Sequence, residues 1–324
     1  MMKFFLKNKK GGEKIPALIV TFIILIVSFI VLLIFMVFLN PTKTSDKAVC
    51  HNSVVARSSG FLLQQTIPLN CKTSYICLSK DGGCERVTSP EIIKVKTKEE
   101  VYKALAEEGA NCWWMFGEGK ADYIGDKFTS DLYCSICSQI AFDDSLSNLF
   151  AVNPSLVSRA NLGIPESYSN FLIDKEDFYE YLANTNMSGK DITYLDYFLG
   201  LQNSELISEA LKSNNYNFGY MDLEKQHLIM MGEFSKVGFW QDVLIGVGKG
   251  VLLFLVLPLP VIGGPSGIAL VVSTVYNPFG QRGGYMIGTI MQGESGHAYL
   301  SPVIIEANSE DYNKLQCGSV NTLA

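Results

Sequence analysis

The stretch that decides the fold is Leu132-Tyr-Cys-Ser-Ile-Cys-Ser-Gln-Ile-Ala-Phe142, in which a C-x-x-C sequence lies within a regular alternation. The residues that share one face at period two, a pattern typical of a β-strand, are Leu132, Cys134, Ile136, Ile140 and Phe142. Residues three apart on a strand point to opposite faces of the sheet. We therefore expect Cys134 and Cys137 not to bond to each other but to find partners elsewhere, with Cys112 and Cys317 the natural candidates.

Helical and strand-like segments lie on both sides of this strand. Thr97 and Glu100 form a capping box, which predicts a helix from Lys98 to about Phe116. Further predicted strands are Glu91–Lys96, His227–Phe234, Tyr285–Met291 and Ala298–Glu306, the last broken by Pro302. Further predicted helices are Asp174–Leu182, Ser204–Leu211 and a short one that begins at Ser309 and ends near Cys317. The pattern indicates an α+β domain.

The first predicted helix has an apolar face and an aromatic end. Its inward-facing positions are predicted to be Val101, Leu105, Cys112 and Met115. Trp113, Trp114 and Phe116 follow as a dense aromatic group. We interpret this group as a core plug, with an exposed aromatic platform as the alternative.

The cysteines indicate an exported, disulfide-bonded domain. The chain has eight, an even number, and all follow the first apolar segment. They are Cys50, Cys71, Cys77, Cys84, Cys112, Cys134, Cys137 and Cys317. The first four could staple a loop-rich subdomain at residues 40–90, although the pairing cannot be derived from spacing. Redox chemistry at Cys134 and Cys137 is an alternative, and so is metal binding.

Residues Pro16–Leu39 contain no charged side chain and follow a lysine-rich segment. A run of about 20 apolar residues is long enough to cross a bilayer as a helix. This pattern predicts a cytoplasmic tail at 1–15, one transmembrane helix at 16–39 and an extracytoplasmic ectodomain at 40–324. A cleaved signal peptide is one alternative, and a prepilin-type leader at Lys10-Gly-Gly-Glu13 is another.

A second apolar region spans Val251–Tyr276. Its prolines and the Gly263–Gly267 turn would leave backbone groups unsatisfied in lipid. We favour an internal apolar hairpin with arms at Val251–Leu257 and Ile268–Val275, and a second membrane span is the alternative. In the predicted domain scheme this hairpin is an insertion in an ectodomain of residues 91–324.

The rest of the sequence contains no recognisable catalytic constellation. It has no P-loop, dinucleotide fingerprint, nucleophile elbow or zincin motif. His51, His227 and His297 have no metal-binding spacing, so neither a metal nor a cofactor is expected. Asn186-Met-Ser188 is a candidate N-glycosylation sequon. The net charge of −6, with the positive excess confined to the N-terminal tail, argues against a nucleic-acid partner.

The segment from Cys112 to Lys120, the Tyr133–Cys137 segment and the late Tyr299–Cys317 segment resemble uncharacterised membrane-anchored surface proteins of small-genome archaea. The resemblance implies a surface protein in which these cysteines are structural, and it implies no activity.

These observations predict a non-enzymatic protein that is anchored in the lipid bilayer and acts by interaction, assembly or self-association at the cell surface. The alternatives are an extracytoplasmic thiol–disulfide oxidoreductase that uses the C-x-x-C, a membrane-inserting or pore-forming protein that uses residues 251–276, and a pilin-like subunit.

Overall fold

The structure is a computed structural model, and the part of the chain it describes divides into two units, Met1–Ser45 and Asp46–Ala324. The residues described are 22–30, 44–60, 63, 66–125, 132–150, 171–199, 218–234, 253–255, 268–276, 282–292, 298–309, 312–313, 315 and 317–319. For the strands at 253–255, 268–276 and 282–292 the description covers the backbone only.

The transmembrane helix predicted at Pro16–Leu39 is not borne out. Among the residues described, no helix is both long and apolar enough to cross a membrane. Within the predicted stretch only residues 22–30 are described, and they are helical with exposed side chains.

The second unit is built on a large mixed sheet. Its described strands are β1 (Ser74–Ser79), β2 (Glu91–Lys94), β3 (Leu132–Phe142), β6 (His227–Phe234), β7 (Leu253–Leu255), β8 (Ile268–Tyr276), β9 (Arg282–Gln292), β10 (Ala298–Glu306) and β11 (Gly318–Ser319). A separate two-stranded sheet pairs β4 (Leu172–Asp174) with β5 (Tyr220–Asp222). The described helices are α1 (Thr44–Ser58), α2 (Lys98–Met115), α3 (Ser147–Phe150), α4 (Lys175–Asn184) and α5 (Tyr194–Leu199), and a 3₁₀ turn at Asp144–Leu146 precedes α3. The predicted α+β class is therefore confirmed.

The sheet changes character at β3. Its order is β2-β1-β3-β6-β10-β9-β8-β7, with β11 also paired to β3. β2, β1 and β3 run parallel, and β11 is parallel to β3, whereas every pair from β3 to β7 is antiparallel. The strand of the C-x-x-C sequence, third in this order, thus joins a small parallel part to a larger antiparallel part.

Helix α2 covers one face of the sheet. Thr97 is its N-cap and accepts a hydrogen bond from the Glu100 amide, while the Glu100 carboxylate accepts one from the Lys96 amide. The predicted inward positions of this helix are all buried. Trp113 and Phe116 are buried in the main hydrophobic core, which confirms the predicted core plug. Trp114 packs at the margin of that core.

Residues 40–90 contain more regular structure than the sequence indicates. Helix α1 occupies Thr44–Ser58, and β1 lies inside the large sheet between β2 and β3. Cys50 and Val54 on α1 belong to the same core as α2. The prediction of a loop-rich segment here is wrong, because burial against α2 and the sheet stabilises a helix whose own apolar periodicity is weak.

A second hydrophobic cluster lies beside the main one and is formed by β3, β6, β10 and the C-terminal segment. Leu132 and Cys134 contribute from β3, and Leu315 contributes from the C-terminal segment. Pro302 falls where the pairing between β10 and β6 shifts register, between Leu300 and Val303, so that β10 continues past the break predicted there.

The apolar region at 251–276 supplies two strands. β7 and β8 pair antiparallel, with Leu253 opposite Val272 and Leu255 opposite Leu270. β8 pairs in turn with β9. β7 falls within the first predicted arm, and β8 matches the second and extends one residue past it to Tyr276. Residues 256–267 between them lie outside the described residues.

The remaining helix predictions have mixed outcomes. α4 confirms the helix predicted at Asp174–Leu182, with Asp174 as its N-cap. The Tyr312 amide donates to the Ser309 hydroxyl, as expected for the start of the last short helix, although only parts of that segment are described. The helix predicted at Ser204–Leu211 lies outside the described residues.

Candidate functional site

All eight cysteines are paired. The disulfides are Cys50–Cys71, Cys77–Cys84, Cys112–Cys137 and Cys134–Cys317, and no cysteine is free. Cys134 and Cys137 therefore bond to Cys317 and Cys112, as the strand geometry of the C-x-x-C predicts. One bond ties α2 to β3, and the other ties the C-terminal segment to β3. The structure does not bring Cys134 and Cys137 together as a dithiol pair.

A polar cluster lies at the carboxyl ends of the parallel strands. Ser79 ends β1, Asp143 directly follows β3, and Lys94 ends β2 beside Ser79. The Ser79 hydroxyl lies 3.0 Å from Asp81 Oδ1, 3.4 Å from Asp143 Oδ1 and 3.4 Å from Ser145 Oγ. Ser79 is fully buried, whereas Asp81 is exposed. We call Ser79–Gly83 with Asp143–Ser145 the strand-end cluster.

Hydrogen bonds hold the strand-end cluster in one shape. The Gly82 amide donates to Ser79 Oγ at 3.0 Å, and the Gly83 amide donates to Asp81 Oδ1 at 2.8 Å. The Lys80 amide donates to Ser145 Oγ at 2.9 Å. The amide of Gly83 and the hydroxyl of Ser79 lower the pKa of Asp81, so its carboxylate stays ionised. The Cys77–Cys84 disulfide closes the loop at its base.

Charged side chains surround this rigid loop. Lys80 and Asp144 are exposed at its rim, and Arg86 forms an ion pair with Asp144. Arg86 also donates to the Leu223 carbonyl at 3.1 Å, which fixes its position. Ligand sites in α/β proteins lie outside the carboxyl ends of parallel strands, which is where this loop lies. The loop can therefore present both charge signs to a partner in a fixed geometry.

The sequence analysis treats Asp81-Gly-Gly83 only as part of a turn and misses the cluster. A usable signal is present after the strand predicted at Leu132–Phe142, because Asp143, Asp144 and Ser145 directly follow its end. The sequence does not indicate that β1 pairs with β3 in parallel. This pairing brings Ser79 next to Asp143, which is 64 positions away in the chain.

Two acidic side chains, Glu108 and Glu233, are buried. Glu108 of α2 accepts from Lys47 Nζ at 2.7 Å and from Ser138 Oγ at 2.9 Å, which links α1, α2 and β3. Glu233 of β6 is fully buried. Burial raises the pKa of Tyr123, and the negative charge of Glu233 adds to that rise. The Tyr123 hydroxyl in turn lies 3.1 Å from Ser135 Oγ.

The two described histidines lie in different surroundings. His51 stacks on Trp114 with ring centroids 4.2 Å apart, and its Nδ1 lies 2.7 Å from the Trp114 carbonyl oxygen. His227 is buried on β6, its ring meets Phe142 edge to face, and burial lowers its pKa to about 3. His297 lies outside the described residues. Across the described part of the chain, no group of histidine, cysteine and acidic side chains is arranged to hold a metal ion.

The sequon lies on an exposed turn. Asn186 forms an isolated antiparallel bridge with Thr193, between α4 and α5.

Glu118, which follows α2, is hydrogen-bonded to α5. Tyr197 of α5 donates to Glu118 Oε1 at 2.7 Å. Burial acts to raise the pKa of Glu118, but the hydrogen bonds from Tyr197 and Lys120 outweigh it and the pKa is lowered.

Comparisons with known proteins give no family and no relative from which a function can be proposed. No protein-family model matches the chain, and no match is found among curated proteins or among solved structures.

Proposed function

We propose that this protein works outside the cytosol as a disulfide-stabilised binding protein rather than as an enzyme. The observation that carries the proposal is the complete pairing of the eight cysteines. Disulfides of this density persist in oxidising compartments and are rare where glutathione and thioredoxin keep thiols reduced.

The position of the sulfurs supports a structural role for them. Cys50, Cys112, Cys134 and Cys137 are buried. A catalytic cysteine needs an accessible thiol with a lowered pKa, usually beside a resolving partner. Here Cys134 and Cys137 each join β3 to a different element, so their disulfides act as cross-links between elements. The thiol–disulfide oxidoreductase is therefore the weaker proposal.

The strand-end cluster supports the binding part of the proposal. It is rigid, closed by a disulfide and rimmed by charges of both signs. A loop whose hydrogen bonds are already made loses little conformational entropy when a partner binds, so it is suited to specific recognition. The hydroxyl of Ser79 is buried and used within the loop, which favours recognition over nucleophilic chemistry there.

Disulfide mapping of the full-length protein from intact, rapidly acid-quenched cells tests the compartment and the structural role together. We expect peptides that contain the four disulfides of the structure and no alkylated cysteine before reduction. Free thiols at Cys134 and Cys137 would contradict the proposal. Under the oxidoreductase alternative, a Cys112→Ala/Cys137→Ala variant, which leaves no orphan thiol at Cys112, would accumulate mixed disulfides with other proteins through Cys134, whereas the binding proposal expects none.

Site-specific photocrosslinking tests the binding surface. A photoreactive residue at Lys80, on the strand-end cluster, should give one discrete adduct in cells. The matched control is Lys103, which is also an exposed lysine but lies on α2. Equal adduct patterns at both positions, or no adduct at Lys80, would show that this loop is not the binding surface. The proposals of membrane insertion by residues 251–276 and of pilin-like assembly rest on the sequence alone.

A further inference from the structure

The turn that joins α4 to α5 presents the one N-x-S/T sequon of the chain in which x is not proline. Its backbone is fixed at both ends. The Met187 amide donates to the Ile192 carbonyl at 2.9 Å, and the Tyr194 amide donates to the Thr185 carbonyl at 3.1 Å. Gly189 has a φ of 75°, which lets the chain reverse at the tip.

Side chains of the sequon divide between core and solvent. Met187 packs against the main hydrophobic core, while Asn186 and Ser188 on either side of it are exposed. Asn186 Nδ2 lies 3.4 Å from Asp191 Oδ1, which is the outer limit for a hydrogen bond, and both side chains are exposed. The reactive amide and the hydroxyl therefore face outward from an anchored turn.

A neighbouring asparagine shows the contrast. Asn184, at the end of α4, is also exposed, but its Nδ2 donates to the Glu180 carbonyl at 2.8 Å. It is followed by Thr185 and Asn186, so it is not part of a sequon. Asn184 and Asn186 thus differ in two ways. Only Asn186 belongs to a sequon, and only the side-chain amide of Asn184 donates a short hydrogen bond to the backbone.

We propose that Asn186 is a site of N-glycosylation, a modification that adds a bulky, solubilising glycan at a surface sequon. The donor is a lipid-linked glycosyl phosphate. Asn186 Nδ2 forms a bond to the anomeric carbon, the bond from that carbon to the phosphate oxygen breaks, the lipid phosphate leaves with its electron pair, and a base takes the amide proton. This inference rests on the proposed function, because only an exported chain meets such donors.

The test uses the full-length chain produced in a cell that glycosylates asparagine, with mass spectrometry of the tryptic peptide 176–190. We expect a glycan attached to Asn186 in the wild type. N186Q removes the amide acceptor and S188A removes the sequon hydroxyl, so both should lose the glycan. S188T keeps a hydroxyl and N184Q changes only the neighbouring asparagine, so both should keep it.

The same sample yields the disulfide map, which separates the two proposals. An unmodified peptide 176–190 in protein with four intact disulfides would overturn glycosylation and leave the proposed function standing. An unmodified peptide together with free thiols would overturn both. Glycan retained in N186Q would place the modification elsewhere and also overturn the inference. Because the peptides are read after denaturation, a variant's folding does not affect the readout.

Discussion

Single residues in this protein connect elements that are far apart in sequence, and Glu108 is the clearest case. Its carboxylate accepts hydrogen bonds from Lys47 of α1 and from Ser138 of β3. Glu108 itself is buried on α2. A buried carboxylate that keeps its hydrogen-bond partners does not pay the free-energy cost of an unpaired buried charge. Removing one partner of such a pair leaves the other charge unpaired and destabilises the fold. Lys47 retains some contact with solvent, which limits the penalty.

Glu108→Gln should lower the free energy of unfolding by about 1–3 kcal/mol, because the Lys47 ammonium loses its ionised partner in a poorly solvated site. Glu107→Gln is the matched control, since Glu107 forms a solvent-exposed pair with Lys103 and should contribute less than about 1 kcal/mol. Urea denaturation monitored by tryptophan fluorescence measures both. Equal effects of the two variants would contradict the role assigned to Glu108.

His227 should make the protein sensitive to acid. Burial lowers its pKa from 6.5 to about 3, so between these values the unfolded chain binds a proton that the folded chain does not. The free energy of unfolding should therefore fall as the pH drops below about 6.5, with a limiting slope of about 1.4 kcal/mol per pH unit.

His227→Phe isolates this effect. The variant keeps a ring against Phe142 but cannot titrate, and it loses the hydrogen bond from Nδ1 to the Lys225 carbonyl. We expect it to be less stable than the wild type at pH 7 and to lose part of the decline between pH 6.5 and 4. Denaturant midpoints over this range measure the difference between the two proteins. Parallel pH profiles would show that His227 titrates normally in the folded state.

At the scale of elements, α2 depends on how it ends. The Gly117 amide donates to the Trp114 carbonyl and the Glu118 amide donates to the Trp113 carbonyl, so the helix closes on a left-handed residue. Gly117 has a φ of 81°, and a Cβ there would lie 2.4 Å from the Ala121 Cβ. The chain returns so closely here that only glycine fits.

Gly117→Ala should destabilise the protein by more than the 1–2 kcal/mol that left-handed backbone strain alone costs, because it adds a steric clash. Gly189→Ala provides the control. Gly189 has a similar φ of 75°, but no atom lies within 4 Å of the added Cβ. Thermal unfolding of the two variants should separate the clash from the strain. A Gly117→Ala effect no larger than that of Gly189→Ala would contradict the close approach.

Element prediction succeeded where the signal is local. Periodicity at Leu132–Phe142 and the capping residues at Thr97 and Asp174 identified β3, α2 and α4. It failed at α1, because that helix takes its stability from burying Cys50 and Val54 in the shared core. At residues 16–39 the absence of charged residues predicted a membrane span, but no helix among the described residues is both long and apolar enough to cross a membrane.

In the whole molecule, disulfides tie the chain across very different distances. Cys134–Cys317 spans 183 positions, whereas Cys77–Cys84 spans 7. In the chain-entropy account, the long loop gains about 5 kcal/mol and the short one about 2.5 kcal/mol from restriction of the unfolded chain. Cys112–Cys137 joins α2 to β3, and Cys134–Cys317 joins the C-terminal segment to β3. Cys50–Cys71 joins α1 to the segment that precedes β1.

Replacing both members of each pair by alanine tests this ranking. The Cys134→Ala/Cys317→Ala variant should lose roughly twice the stability of the Cys77→Ala/Cys84→Ala variant in guanidinium denaturation, in line with the loop-length estimate. Each double variant leaves the other three pairs intact and creates no free thiol, so each is the control for the other. Equal losses would show that native contacts at each bond matter more than loop length.

The sequence by itself determined the local features, namely strand β3, the capped helices α2 and α4, and the fact that Cys134 and Cys137 face opposite ways. Each of these depends on residues within a few positions of one another. The tertiary structure decided which cysteines pair, the parallel order of β2, β1 and β3, and hence the strand-end cluster at Ser79 and Asp143. Those features depend on strand pairing between distant segments, and local periodicity carries no information about which strand lies beside which.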